Sequence, residues 1–180
     1  MDRITVYYTD SYDGKSSHRL LRKIASELYG ITEDQLVLVS EFGKKPYFTT
    51  PTGVHFSISH SDNLWACAFA PREVGLDVQI INHRRDPLSL SKRFFHPDEA
   101  LYVGDATDAI TTFTEIWARK EAVVKLFGVG IAGYFDKFST VSEPIVFEGK
   151  DVQVANFLIS PEFASAIAYS GEFEIKTVKI

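Results

Sequence analysis

Gly75-Leu76-Asp77-Val78-Gln79 and Trp117-Ala118-Arg119-Lys120-Glu121-Ala122-Val123-Val124-Lys125 carry two different periodicities, and the fold turns on how they meet. In the first stretch polar and apolar residues alternate, which reads as a strand: Leu76 and Val78 face a core, while Asp77 and Gln79 project together from the other side. In the second, Trp117, Glu121 and Lys125 recur every fourth residue and form one row on a helix. Ile116, Val123, Leu126 and Phe127 supply the apolar face that seats it. Gly128 is a helix stop, with Gly130 and Gly133 soon after. Brought together, the two segments would set carboxylates around a divalent cation shared with a phosphorylated ligand, with a lysine alongside. That is the equipment of phosphoryl-group chemistry.

Working outward, strands are expected at 4–8, 36–39, 55–59, 65–69 and 74–80. An amphipathic helix is expected at 18–28, with Leu20, Leu21, Ile24 and Leu28 on one side and Gly30 after it. Gly43-Lys44-Lys45-Pro46-Tyr47 is a loop punctuated by Gly and Pro. A basic connection, Asn82-His83-Arg84-Arg85-Asp86-Pro87, leads to a helix at 88–95. A further helix starts at His96-Pro97-Asp98-Glu99, where Pro sits early and acids fill the first turn. The strongest helix pattern covers 114–127. Blocks at 152–154, 164–169 and 173–178 read as strands completing a sheet. The elements thus fall into two strand-and-helix halves, 1–82 and 83–180.

At 180 residues, 45% of them apolar, the chain has material for one ordinary domain or two small halves sharing a core. A net charge of −5 argues against a nucleic-acid binder that relies on overall charge, but leaves room for a local basic pocket. The single Cys67 has no partner for an internal disulfide; its apolar neighbours suggest a buried thiol, and a reducing cytosol fits. The opening residues lack the apolar block of a secretion signal, and no stretch approaches membrane-spanning length. The expectation is a soluble cytoplasmic protein without membrane or nucleic-acid partners.

Four segments in order carry a resemblance: His55-Phe56-Ser57-Ile58-Ser59-His60-Ser61, then Gly75-Leu76-Asp77-Val78-Gln79, then Arg93-Phe94-Phe95 with Glu99, then Trp117-Ala118-Arg119-Lys120-Glu121 with Lys125 and Gly128-Val129-Gly130. With the loop at Gly43-Lys44-Lys45-Pro46-Tyr47, they resemble the 4′-phosphopantetheinyl transferases of the surfactin-synthetase-activating type, from about Gly43 to about Gly130. The resemblance implies an α+β fold of two duplicated halves related by a pseudo-two-fold. Each half is a small, mostly antiparallel sheet with a packed helix, and the active site lies between them in a monomer. It implies transfer of the phosphopantetheine arm of coenzyme A to a serine of an apo acyl or peptidyl carrier protein, with adenosine 3′,5′-bisphosphate released. The chain is short for that type, so trimmed loops and a trimmed N-terminal region are expected.

On that resemblance, Asp77 and Glu121 are the metal ligands. The donors are hard oxygens, which suit Mg²⁺, although Mn²⁺ stays open. Glu121 is also the candidate acceptor of the serine proton, and Lys125 the cation beside the pyrophosphate. Ser59 and His60 match the family's nucleotide-binding pair, with His60 toward the ribose 3′-phosphate, and Lys44 and Lys45 reach phosphates. Gln79 stands where many members have a third acid, so weakened metal affinity is expected rather than lost activity. Lys120 faces solvent or ligand, and Trp117 is core. Lys92, Arg93, Phe94 and Phe95 are candidates to receive an acidic carrier, with Phe94 or Phe95 alternatively core. Arg84 and Arg85 touch ligand or partner, or solvent.

Taken without the resemblance, each of these residues has a plainer use. Asp77 could cap a strand end, Glu121 could pair with Lys125 on a solvated helix face, and His60 could be a surface residue. Two other functions fit part of the pattern: a metal-dependent phosphohydrolase, which accounts for the two acids alone, and a degenerate homologue that binds coenzyme A or a carrier without turnover, which Gln79 keeps open.

Overall fold

The protein is described by a computed structural model covering residues 1–41, 43–50, 53–129 and 133–180. Strand β1 (Asp2–Thr9) is followed by helix α1 (Ser17–Tyr29), a 3-10 turn (Glu33–Gln35), and strands β2 (Val37–Val39), β3 (Tyr47–Thr50), β4 (His55–Ser61), β5 (Leu64–Ala70) and β6 (Val74–Ile80). Helices α2 (Pro87–Phe94), α3 (Pro97–Asp105) and α4 (Ala109–Phe127) come next. Strands β7 (Ile145–Phe147), β8 (Lys150–Asn156), β9 (Phe163–Tyr169) and β10 (Phe173–Lys179) close the chain.

Two four-stranded sheets form the body, in the orders β10-β1-β5-β4 and β6-β9-β8-β7, with β2 and β3 as a separate hairpin. Every pairing is antiparallel except β1 with β10. The fold is therefore α+β, two sheets with a long helix apiece. Ile4, Val6, Ala66 and Ala68 of the first sheet meet Leu76, Val78, Ile167 and Tyr169 of the second in a shared core. On the outside of the first sheet, Leu21, Ile24 and Ala25 of α1 cover Trp65, Cys67 and Phe69. On the outside of the second, Ala118, Ala122, Val123 and Leu126 of α4 belong to one core with Ala164, Ala166 and Ala168. Both faces of β5 and β9 are thus covered, and all seven residues of each are buried; double-sided burial favours near-continuous apolar runs over alternation.

The two sheets abut through side chains. Strand β6 has an unpaired edge away from β9, and its N–H groups need acceptors. Ser57, Ser59 and Ser61, all on one side of β4, supply them: their hydroxyls accept from the N–H of Leu76 (3.0 Å), Val78 (3.2 Å) and Ile80 (2.9 Å). Each such bond contributes on the order of 0.5–1.5 kcal/mol net.

The sequence expectations for the strands and helices hold, with shifts that have local causes. Helix α4 begins at Ala109, not 114, because the Asp108 carboxylate accepts from Thr111 N (3.1 Å) and caps it. Strand β3 extends the expected loop into a hairpin with β2 in which, of the β3 residues, only Phe48 is buried. Strand β7 has three residues, too few for a periodic signal. The expected stop at Gly128 is a left-handed cap at φ 66°, whereas Gly130 lies outside the described residues. The boundary after residue 82 divides the chain but not the sheets: β6 joins the later strands, and β10 returns to β1. Cys67 is fully buried, which pushes its thiol well above the usual range. Among the described residues no helix is long and apolar enough to cross a membrane.

Candidate active site

The site exists because α4 crosses β6 at a glycine. A Cβ at Gly75 would lie 1.8 Å from the Ala122 carbonyl oxygen, so only glycine lets helix and strand come this close. Asp77 is on the same side of the strand, two residues on, and so faces the helix row that carries Glu121 and Lys125.

There the side chains converge. Asp77 Oδ1 accepts from Lys125 Nζ (2.7 Å) and from Ser59 Oγ (2.7 Å), and Lys125 Nζ also reaches Ser59 Oγ at 3.0 Å. Asp77 is 5% exposed and Glu121 8%. Burial first, and the Asp77 charge second, push the Glu121 carboxyl up to about 7; Lys125 and the Trp117 side chain pull the other way. The two acids therefore sense each other directly. Asp77 Oδ2 is buried and, among the described residues, has no hydrogen-bond partner. A carboxylate oxygen rarely stays so without a ligand to receive it.

A cavity of about 310 Å³ opens beside Glu121, lined by Ser57 and Ile58 of β4, by Glu121, Val124, Lys125, Gly128 and Val129, and by Gly43-Lys44-Lys45-Pro46. Lys44 and Lys45 both line it but differ. The Lys44 side chain is largely exposed and pairs with Glu41 on the surface. Lys45 is mostly buried; its Nζ donates to Glu73 Oε2 (2.6 Å) and the Val74 carbonyl (2.9 Å).

The other expected site residues are placed as follows. Ser59 is buried at the junction, where its hydroxyl is shared between Asp77, Lys125 and the Val78 N–H. His60 is exposed on the opposite side of β4, does not line the cavity, and packs against Tyr12 with ring centroids 5.2 Å apart. Gln79 is half-buried and holds Ser61 Oγ only at 3.5 Å.

Lys120 corrects its expectation outright. It faces neither solvent nor cavity; it is fully buried, paired with the equally buried Glu99 at 2.6 Å, and its Nζ lies 4.0 Å from the Phe138 ring centroid. One residue along a helix is a rotation of about 100°, so Lys120 enters the core while Glu121 faces the cavity. Phe95 is core and Phe94 half-buried, while Lys92, Arg93, Arg84 and Arg85 are exposed. Sequence reasoning missed Ser57, Ser61, Glu73 and the wall residues Ile58 and Val124. The Ser57, Ser59, Ser61 alternation was the available signal for the first two.

The donor set fits a hard divalent cation. Among the described residues no cluster of three or more His, Cys, Asp or Glu is poised for a metal. Yet Mg²⁺ commonly binds through one or two carboxylates plus substrate phosphates. Asp77, with its free Oδ2, and Glu121 would hold it, and the neutral Gln79 lies on the same side of the strand.

A family model for the 4′-phosphopantetheinyl transferase superfamily matches residues 73–168, the segment holding β6, α4 and their acids. The chain belongs to that superfamily. Its curated relatives in the superfamily include a 4′-phosphopantetheinyl transferase of Bacillus subtilis, 31% identical over 140 residues, which spans 71% of this chain and 60% of that protein. The Bacillus subtilis 4′-phosphopantetheinyl transferase Sfp is 29% identical over 138 residues, with the same coverage of 71% and 60%. The Nostoc sp. 4′-phosphopantetheinyl transferase HetI is 34% identical over 119 residues, 63% of this chain and 50% of that protein. The chain thus spans 50–60% of the length of these superfamily relatives, and its type is the Sfp-like one.

Proposed function

We propose that the chain transfers the 4′-phosphopantetheine arm of coenzyme A to a serine hydroxyl of an apo acyl or peptidyl carrier protein, releasing adenosine 3′,5′-bisphosphate in a Mg²⁺-dependent reaction. The observation that carries this is buried Glu121, which lines the cavity together with Lys125 and Lys45, while Lys125 also holds the buried Asp77, in a chain whose relatives bear that name.

In the reaction the serine oxygen forms a bond to the phosphorus that carries the pantetheine arm, and the bond from that phosphorus to the bisphosphate breaks. Glu121, which faces the cavity, receives the hydroxyl proton. Lys125 sets a positive charge beside the pyrophosphate as negative charge builds on the leaving group. Asp77 orients Lys125 through Oδ1 and keeps Oδ2 for the cation. The cation, when bound, would neutralise phosphate charge. Lys44 and Lys45 line the cavity for the anionic ends of coenzyme A, and exposed Lys92 and Arg93 offer positive charge to an acidic carrier. Both halves of the site lie in one chain, which supports action as a monomer.

Mass spectrometry of an apo carrier incubated with coenzyme A, Mg²⁺ and this protein tests the proposal. The expected result is a carrier heavier by one phosphopantetheine arm. Phosphate or nucleotide release without that gain would mean hydrolysis, and binding without either would mean a non-catalytic role. Glu121→Ala is expected to slow transfer by about 10²–10⁴-fold; a near-normal rate in that variant would remove Glu121 from its role.

A further inference from the structure

Lys45 and Pro46 line two cavities. One is the site cavity. The other, of about 200 Å³, is lined by Lys45, Pro46, Tyr47, Val54, His55, Phe56 and Glu73. Glu73 belongs only to the second, so it does not face a ligand in the first. It holds the Lys45 ammonium at 2.6 Å, and its other oxygen, Oε1, is 2.8 Å from His55 Nδ1. A lysine ammonium has three N–H donors. Glu73 and the Val74 carbonyl take two of them, which leaves one for a ligand.

We infer that Glu73, braced by His55, is a positioning residue that aims the Lys45 ammonium into the site cavity for an anionic group of the ligand. The inference rests on the transfer reading above and deepens it. The physical reason is entropic. A free lysine side chain samples many rotamers, and freezing it during binding weakens affinity; an acid that holds it beforehand removes most of that loss. The pair also bears on the fold: the Glu73 side chain is 58% exposed but that of Lys45 only 17%, so removing the acid leaves a mostly buried ammonium without its partner. A role in binding is told from a role in the fold by the split between KM and kcat.

The experiment measures transfer kinetics with coenzyme A as the varied substrate, together with calorimetric binding of coenzyme A, in wild type, Glu73→Ala, Lys45→Met and the double variant. Glu73→Ala should raise KM about 2–10-fold and leave kcat within about a factor of two, with some loss of melting temperature. Lys45→Met should raise KM at least as much, and the double variant no further than Lys45→Met alone. Glu73→Gln, which keeps an acceptor oxygen, should recover part of the loss and serves if Glu73→Ala folds poorly. Multiplying effects in the double variant, an unchanged KM in Glu73→Ala, or a fall in kcat at constant KM would each overturn the inference while leaving the transfer reading standing. A wild type that neither binds coenzyme A nor transfers its arm would overturn both.

Discussion

At the scale of single residues, Gly75 decides whether the site can form. The atom that an added Cβ would meet at 1.8 Å is a backbone oxygen of α4, so no side chain can rotate away; the strand or the helix must shift. Forced overpacking typically costs about 1–3 kcal/mol, which for a chain this size lowers the melting temperature by roughly 2–12 °C. Gly75→Ala is expected to melt earlier and, by widening the gap between Asp77 and Glu121, to transfer more slowly. A variant with the melting temperature and rate of wild type would mean that β6 and α4 have slack here. Gln79 is the second residue whose identity matters. It shares a strand side with Asp77 but holds Ser61 only weakly, so its side chain is available for replacement. With the Mg²⁺-dependent reading, Gln79→Glu should lower the Mg²⁺ concentration that gives half-maximal rate. An unchanged or higher requirement would show that position 79 does not face the cation.

At the scale of elements, α4 does two jobs on two faces, and only one was legible in the sequence. The row Trp117, Glu121, Lys125 follows from helical spacing alone, and so does the meeting with Asp77 once β6 is read as a strand. Lys120 is different: charge on a helix usually marks a solvated face, and nothing in its neighbours announces burial. Its partner Glu99 lies on α3, 21 residues earlier, and what makes burial tolerable is long-range. Glu99 also accepts from Thr140 N (2.7 Å), Thr140 Oγ1 (2.8 Å) and His96 N (3.3 Å), while Lys120 donates to the Phe138 carbonyl. A buried ion pair can match its desolvation cost only with such a full complement of partners. Removing one charge strands the other, so Lys120→Met should cost about 3–5 kcal/mol in chemical denaturation. Lys120→Met with Glu99→Gln should recover a substantial part of that, because no unpaired charge remains. A single variant as stable as wild type would mean that Glu99 is not ionised in the core.

At the scale of the molecule, alternation told which side of each strand is apolar but not which strand is its neighbour, because a period of two fixes faces and leaves partners open. The exchange of β6 and β10 between the sheets was therefore invisible, although both strands were expected. The serine-lined seam between β4 and β6 was hidden for the same reason: Ser57, Ser59 and Ser61 look like a polar strand face until a second strand lies against it. The exchange has a consequence for folding. A fragment of residues 1–82 would carry β6 without its partner β9 and β1 without β10; residues 83–180 would leave α4 and β9 without β6. Each piece would expose apolar surface that the intact chain buries between its sheets and leave a strand edge unpaired, which small domains rarely tolerate. Expressed separately, both fragments are expected to give poorly dispersed amide NMR spectra. Mixed, they should recover dispersed resonances and the far-ultraviolet circular dichroism of the intact chain. A dispersed spectrum from either fragment alone would show that a half can build its core without the exchanged strand, and that the seam joins two self-sufficient units instead of completing one.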